Sequence, residues 1–338
     1  MSNHLNSIVT SDNLEQSVYS RFVADIGGTH ARFALVENSN PRSSELVEIK
    51  VFKCADFSGP AETFLAYQSY LGHSLPERAC IAAAGPVSDG EVSFTNLDWR
   101  ISAAGLCDEL KLKQLEIVND FTAVAYAVSK LSADDRRVIH SGSANARGLK
   151  VVLGAGTGLG VAALDEIGGQ THVIDSEAGH TRFAPASEQE RQLLKVLSRS
   201  HDFVSMEMLL AGPGIPFIHE ALCKVNGTTF QPMRAEEITS HARNGTNASC
   251  EHTMQIYLQI LATFCSNLAV TFGARGGVYM VGDVLRSIEP LMVRGDFLEC
   301  YLNAGSMSKL VDNTPLSLVL VQDPGLQGAA VCGMANRG

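Results

Sequence analysis

Val23 to Val36 (VADIGGTHARFALV) and Val151 to Leu164 (VVLGAGTGLGVAAL) place one device at two points of the chain. Each is an apolar β run, a glycine-threonine turn and a second apolar run, so that Gly28-Thr29 matches Gly156-Thr157. Tight glycine turns crowd backbone N–H groups around an anion, and a threonine hydroxyl adds a donor where a larger side chain would obstruct. Two such turns facing each other make a clamp for a polyphosphate. Asp25, just before Gly27-Gly28-Thr29, adds a carboxylate where Mg²⁺ or its bound water needs an oxygen ligand; the plainer reading is a turn residue capping its own hairpin.

Four further groups can do chemistry. Asp120 follows a short apolar strand and heads a helix, a rigid place for the carboxylate that takes or aligns the proton of a hydroxyl nucleophile. Its alternative role is an N-cap. Asn119 beside it adds a donor and an acceptor for neighbouring hydroxyls. In Glu177-Ala178-Gly179-His180, small residues separate a carboxylate from an imidazole, which suits vicinal hydroxyls or a plain surface turn. Glu207, in the first turn of a helix begun by Ser205, reads alone as a structural acidic residue meeting the helix dipole. Asn96, with Asp98 and Trp99, reads as a sugar contact or as the rim of a core built on Trp99.

Several chemistries are excluded. No G-x-x-x-x-G-K-[ST] run is present, and Gly154 to Gly160 has strand patterns on both sides, unlike the strand-to-helix turn of a dinucleotide site. H-E-x-x-H and G-x-S-x-G are absent.

The elements that must hold these groups alternate. The hairpin over 22–36 is followed by a strand at 47–53, a helix at about 60–71, a buried strand at 80–85 and a strand running into a helix over 115–128. The second hairpin opens a unit with long helices at about 187–199, where Ser187 and Glu190 form a capping box, and about 251–272. In the latter, Met254, Leu258, Leu261, Cys265, Leu268 and Phe272 mark a buried stripe that ends at Gly273. A buried strand at 277–282 and a closing helix over 323–331 complete the mixed α/β pattern.

A length of 338 residues predicts two domains. The net charge of −10 with scattered Lys and Arg argues against nucleic-acid and anionic-membrane partners. Eight cysteines without C-x-x-C or zinc spacing suit a reducing cytoplasm. Residues 1–20 read as a frayed tail with neither signal nor anchor, and no uninterrupted apolar run approaches the ~20 residues that span a bilayer.

ADIGGTHARFALV, IVNDFTAVAYA, GAGTGLGVA, EAGHTRFAP and LLAGPG, in this order, resemble the bacterial glucokinase family of the hexokinase and actin-like ATPase superfamily, from about residue 21 to about 328. The resemblance implies an α/β, two-domain actin-like ATPase (ribonuclease H-like) sugar-kinase fold with an interdomain cleft. Its small domain is 21–130 plus 322–338 and its large domain 131–321. It implies transfer of the ATP γ-phosphoryl group to the 6-hydroxyl of glucose with Mg²⁺, in a cytoplasmic homodimer. Asp120 is then the base, and Asn96, Asn119, Glu177, His180 and Glu207 contact the sugar. Asp25, Gly27, Gly28, Thr29, Gly156, Thr157, Gly158 and Gly282 are metal and phosphate elements. The chain departs from the family at His30, where Asn is frequent, and at Asp283, where many relatives carry Gly beside the nucleotide. A kinase for another hexose and a catalytically impaired sugar sensor, the latter motivated by Asp283, are the alternatives. A repressor is excluded because the residues before the first hairpin cannot hold a helix-turn-helix, and the zinc-motif kinase and repressor family by cysteine spacing.

Overall fold

In the computed structural model, residues 19–37, 45–94, 99–143 and 148–335 are described. The chain divides into two compact units, Met1–Lys130 with Gln322–Gly338, and Leu131–Val321. The tail expected over 1–20 lies outside the described residues up to 18, and Tyr19 already begins the first strand.

Unit 1 starts with β1 (Tyr19–Ile26), β2 (His30–Glu37) and β3 (Leu46–Lys53), an antiparallel meander. After α1 (Pro60–Leu71), β4 (Arg78–Ala83) pairs parallel with β1. Three short strands, β5 (Val87–Ser88), β6 (Glu91–Ser93) and β7 (Arg100–Ser102), form their own sheet. Then α2 (Ala103–Leu110) leads to β8 (Gln114–Asn119), parallel beside β4, and α3 (Asp120–Val128). The main sheet order is β3-β2-β1-β4-β8.

Successive side chains alternate between the faces of a strand. Phe22, Ile26, Phe33 and Leu35 therefore enter one core with Phe64 and Tyr67 of α1, where Phe33 and Phe64 meet edge-on at 5.1 Å. Val23, Ala34, Val36, Cys80 and Ala82 face the other way, into a core closed by Leu326, Ala329, Ala330 and Cys332 of the closing helix, Pro324–Ala335. A Cβ on Gly328 would strike the carbonyl of Ala123, so this glycine lets the closing helix lie directly on α3.

Unit 2 repeats the sheet plan. Its strands are β9 (Arg136–His140), β10 (Lys150–Ala155), β11 (Leu159–Ile167), β12 (Gln170–Ser176), β13 (Gly277–Val281) and β14 (Leu316–Val319), in the order β12-β11-β10-β13-β14-β9. The meander β12-β11-β10 is antiparallel and β13 and β14 add in parallel, as β3-β2-β1 is followed by β4 and β8 in unit 1. The repeated hairpin is thus the front of a repeated sheet.

The helices of unit 2 are α4 (Glu188–Leu197), α5 (Met206–Leu210), α6 (Gly214–Asn226), α7 (Ala235–Asn244), α8 (Ala248–Phe272) and α9 (Asp283–Ser287), with further short helices before β14. Ser187 caps α4 through the Glu190 N–H, one half of the expected capping box, while the Glu190 carboxylate accepts from the Ala186 N–H, one residue before the cap. The stripe on α8 is buried from Met254 to Leu268, half-buried at Phe272, and stops at Gly273 in the left-handed region. Among the described helices α8 alone is long and apolar enough to cross a membrane, and 61% of its apolar window is buried inside the protein. The α6 helix was not anticipated: Gly214 and Pro216 in its first turn look like loop punctuation, yet proline is tolerated there because those N–H groups lack helical partners.

Candidate active site

In unit 1 the β1–β2 turn closes on its own backbone, the Gly27 N–H donating to the His30 carbonyl at 2.9 Å. The Cys54 N–H donates to the Thr29 carbonyl at 2.9 Å, which fixes the turn from outside. The hairpin therefore closes through main-chain bonds, and Asp25 lies on β1 opposite Arg32 in register. The Asp25 carboxylate instead abuts the first turn of the closing helix, where a Cβ on Gly325 would lie 2.9 Å from Oδ2. Burial pushes the Asp25 pKa up to about 6; Arg32 pulls it down, and Asp120 and Asp323 raise it. Arg32 itself is paired with Asp323, Nε to Oδ1 at 2.9 Å. Asp25 and Asp323 share the Arg32 guanidinium and Asp120 adds a third carboxylate beside Asp25, which leaves net negative charge in a partly buried place that a hard divalent cation with oxygen ligands would neutralise. This donor set fits Mg²⁺.

Asn119, at the end of β8, is the N-cap of α3. Its Oδ1 accepts from the N–H groups of Phe121 at 2.9 Å and Thr122 at 3.3 Å, while Nδ2 donates to the Gly85 carbonyl at 3.1 Å. The capping role that Asp120 offered as its plainer reading thus belongs to its neighbour. Asp120 follows as the first residue of α3, one oxygen held by the Phe121 N–H at 2.9 Å. Burial raises its pKa, against the lowering effect of that bond and of Asn119. The result is a carboxylate of fixed direction whose basicity exceeds that of an exposed aspartate.

In unit 2 the β10–β11 turn is shaped by main-chain bonds from Gly156 N–H to the Gly158 carbonyl, 2.9 Å, and from Gly212 N–H to the Gly156 carbonyl, 2.7 Å. Ser205 caps α5 through the Met208 N–H, and this helix carries Glu207 back to the turn. There Oε2 of Glu207 accepts the Leu159 N–H at 2.9 Å, and a Cβ on Gly158 would crowd the same oxygen at 2.9 Å. His180 stands between two carboxylates, Nδ1 3.6 Å from Glu207 Oε1 and Nε2 3.6 Å from Glu177 Oε2. A side chain at Gly179 would collide with the Leu159 carbonyl, so the 177–180 segment can pass over the turn only with glycine there. Glu177, His180, Glu207 and the Gly156-Thr157-Gly158 turn consequently form one polar cluster, with Glu177 and His180 largely exposed.

Gly282 lies against the end of β10, with φ of 124° and no room for a Cβ beside the Ala155 carbonyl. Asp283 is exposed and pairs with Arg286, one helical turn on, while Arg286 also donates to the Val321 carbonyl at 2.9 Å. The charge that departs from the family pattern has its counter-ion on the same helix. Asn96 and Asp98 lie outside the described residues, and Trp99 is buried edge-on against Phe94 as a core residue. Sequence reasoning missed Arg32, Asp323 and Gly325. Asp323 before Pro324-Gly325 does carry a helix-start signal, but nothing local pairs it with Arg32 on β2.

Solved structures share this architecture. The crystal structure of glucokinase from an Antarctic psychrotroph is 35% identical and superposes with a TM-score of 0.83, covering 92% of this chain and 97% of its own. A ROK family glucokinase from Streptomyces griseus, in complex with glucose and AMPPNP, is 18% identical with a TM-score of 0.61, covering 92% of this chain and 97% of its own, a likeness of fold alone. The fold is that of the sugar kinases. The family model for glucokinase matches residues 22–336, and the curated glucokinase of Saccharophagus degradans is 36% identical over 313 residues, 93% of this chain and 98% of the relative. The chain belongs to the glucokinase family.

Proposed function

We propose that the protein transfers the γ-phosphoryl group of ATP to the 6-hydroxyl of glucose, in the cytoplasm and as a homodimer. The observation that carries the chemistry is the Asn119–Asp120 junction: one residue caps α3, which leaves the next as a rigid carboxylate of raised pKa. Phosphoryl transfer needs positioning and charge neutralisation more than covalent help, so a base that aligns the attacking hydroxyl and takes its proton suffices beside the clamps.

Glu177, His180 and Glu207 are the sugar ligands of unit 2, carboxylates accepting from hydroxyls and the imidazole donating or accepting. Asn119 acts on the sugar chiefly by fixing Asp120, since its Oδ1 already serves the cap. The turns Gly27-Gly28-Thr29 and Gly156-Thr157-Gly158, with Gly282, offer phosphate oxygens the backbone N–H groups and threonine hydroxyls left over once Gly27 and Gly156 N–H have closed the turns themselves. Asp25, supported by Asp120 and Asp323, would hold Mg²⁺, which when bound neutralises charge on the polyphosphate. The matching sheet plans of the two units support the actin-like, ribonuclease H-like reading of the fold.

The test is a coupled assay of sugar phosphate formation with Mg-ATP and glucose, mannose, fructose or N-acetylglucosamine. Preference for glucose, abolished by Asp120→Ala, is the expected result. No turnover with any of the sugars would overturn it. The impaired-sensor alternative loses its motive, because Asp283 is neutralised by Arg286.

A further inference from the structure

Under the closing helix of unit 1, on the sheet face that carries Asp25 further along β1, three donor atoms that the proposed chemistry does not use converge. Cys80 on β4 and Glu116 on β8 are register partners of the parallel pair, and both lie on the face that the closing helix covers. Ala79, Ile81, Leu115 and Ile117, their chain neighbours, enter the opposite core. Cys332 descends from the closing helix onto the pair, its thiol donating to Glu116 Oε1 at 3.3 Å. One ligand atom from each of the three lies within 4.8 Å of the other two. Both cysteines are at most 1% exposed, and Glu116 Oε2 is buried without a hydrogen-bond partner.

A carboxylate oxygen left unpaired in an apolar core is costly, and buried charges in proteins are paired or coordinate metals. Two thiols and one carboxylate are also a mixed soft and hard donor set, which suits borderline Zn²⁺-like cations, whereas the thiols are foreign to Mg²⁺. We infer that Cys80, Glu116 and Cys332 form a structural site for a single thiophilic divalent cation of the Zn²⁺ class, pinning the closing helix to β4 and β8.

Binding replaces two thiol protons, which leave to solvent, so that two thiolates and one carboxylate face the cation. Tetrahedral sulfur ligands at about 2.3 Å stand about 3.8 Å apart, so the donors close up by about an ångström at most. The hydrogen bond with Cys80 and burial push the Cys332 thiol pKa up, so this thiol gives up its proton only to a strongly bound cation. No local spacing reveals the site, because its ligands come from two strands and a helix at the far end of the chain.

The test is titration of the reduced, chelator-treated full chain with Co²⁺, in the absence of sugar and nucleotide and with excess Mg²⁺ present. The expected result is thiolate-to-Co²⁺ charge-transfer absorption that saturates at one cation per chain and is displaced by Zn²⁺, with release of two protons per cation. The absorption is expected to vanish in Cys80→Ala/Cys332→Ala and to need at least about tenfold more Co²⁺ in Glu116→Gln, which keeps both thiols. No thiolate absorption in the folded wild-type chain would overturn the proposal, as would absorption unchanged in the double variant. Should the double variant not fold, Glu116→Gln decides: unaltered affinity there rejects the carboxylate ligand and with it the site.

Discussion

Glu207 Oε2 accepts the backbone N–H of Leu159 at 2.9 Å, so a carboxylate proposed to bind sugar also holds the glycine turn proposed to face phosphate. One side chain thereby ties the Gly156-Thr157-Gly158 turn to the Glu177–His180 segment. Its other oxygen faces His180 at 3.6 Å.

Glu207→Ala should therefore disturb both substrates. A charge-assisted hydrogen bond to a buried N–H contributes ~1–3 kcal/mol, so KM is expected to rise by about tenfold or more for glucose, with a smaller rise for ATP. Glu207→Gln retains an acceptor for Leu159 and should spare ATP more than glucose. Initial-rate kinetics with each substrate varied separate the two effects; equal behaviour of the two variants would contradict the dual role.

Asp120→Ala should lower kcat by roughly 10²–10⁴-fold, the usual contribution of a positioned acid or base. Glucose affinity, measured by calorimetry, should remain detectable, because the cap on α3 comes from Asn119. Asn119→Ala is expected to cost about 1 kcal/mol of stability through the lost cap and to lower kcat without removing the base.

Asp25 makes a pH prediction with a definite sign. Its folded pKa of about 6 lies above the ordinary value, so the native state holds a proton that the unfolded state releases. Stability from this group is complete below the unfolded pKa and falls as pH rises from about 4 through about 6. Without divalent cation, Asp25→Asn should be more stable than wild type at pH 7 by roughly 1–3 kcal/mol, with the difference vanishing near pH 4, while kinase activity is lost. Urea midpoints across that range provide the check, and added Mg²⁺ should narrow the gap at pH 7.

Arg286→Ala should expose the uncompensated charge of Asp283 and raise KM for ATP several-fold, whereas Asp283→Gly alone should leave it nearly unchanged. Combining the two substitutions should restore the ATP response. A KM for ATP that is insensitive to Arg286→Ala would place Asp283 away from the nucleotide.

Much of this was legible locally. The two hairpins, the strand running into α3 and the buried stripe on α8 follow from short-range periodicity and turn chemistry, which a linear reading samples well. The Asn119–Asp120 division of labour was half legible, since both residues suit a cap and the direction in which the chain leaves β8 decides which one makes it. Glu207 was the opposite case. Its place on α5 was readable, but its partner Leu159, at the start of β11, lies 48 residues away in sequence, so the residue read alone as structural. Arg32 with Asp323 and Cys80 with Glu116 and Cys332 were out of reach for the same reason: each joins strands to the closing helix, and no spacing rule spans that separation. The helix α6 was hidden by Gly214 and Pro216, residues that punctuate loops in most contexts and here occupy a first turn.

The covalent order of the units has a consequence for biogenesis. Unit 2 is a continuous segment, whereas unit 1 is assembled from residues on both sides of it. The closing helix, which seals the core over Val23, Ala34 and Cys80 and brings Gly325 against Asp25, emerges from the ribosome only after all of unit 2. Unit 2 can fold while synthesis continues, but the sheet of unit 1 must wait with one apolar face uncovered. During that interval the nascent chain is a natural client for holdase chaperones, and its vulnerability to aggregation should end when the closing helix docks.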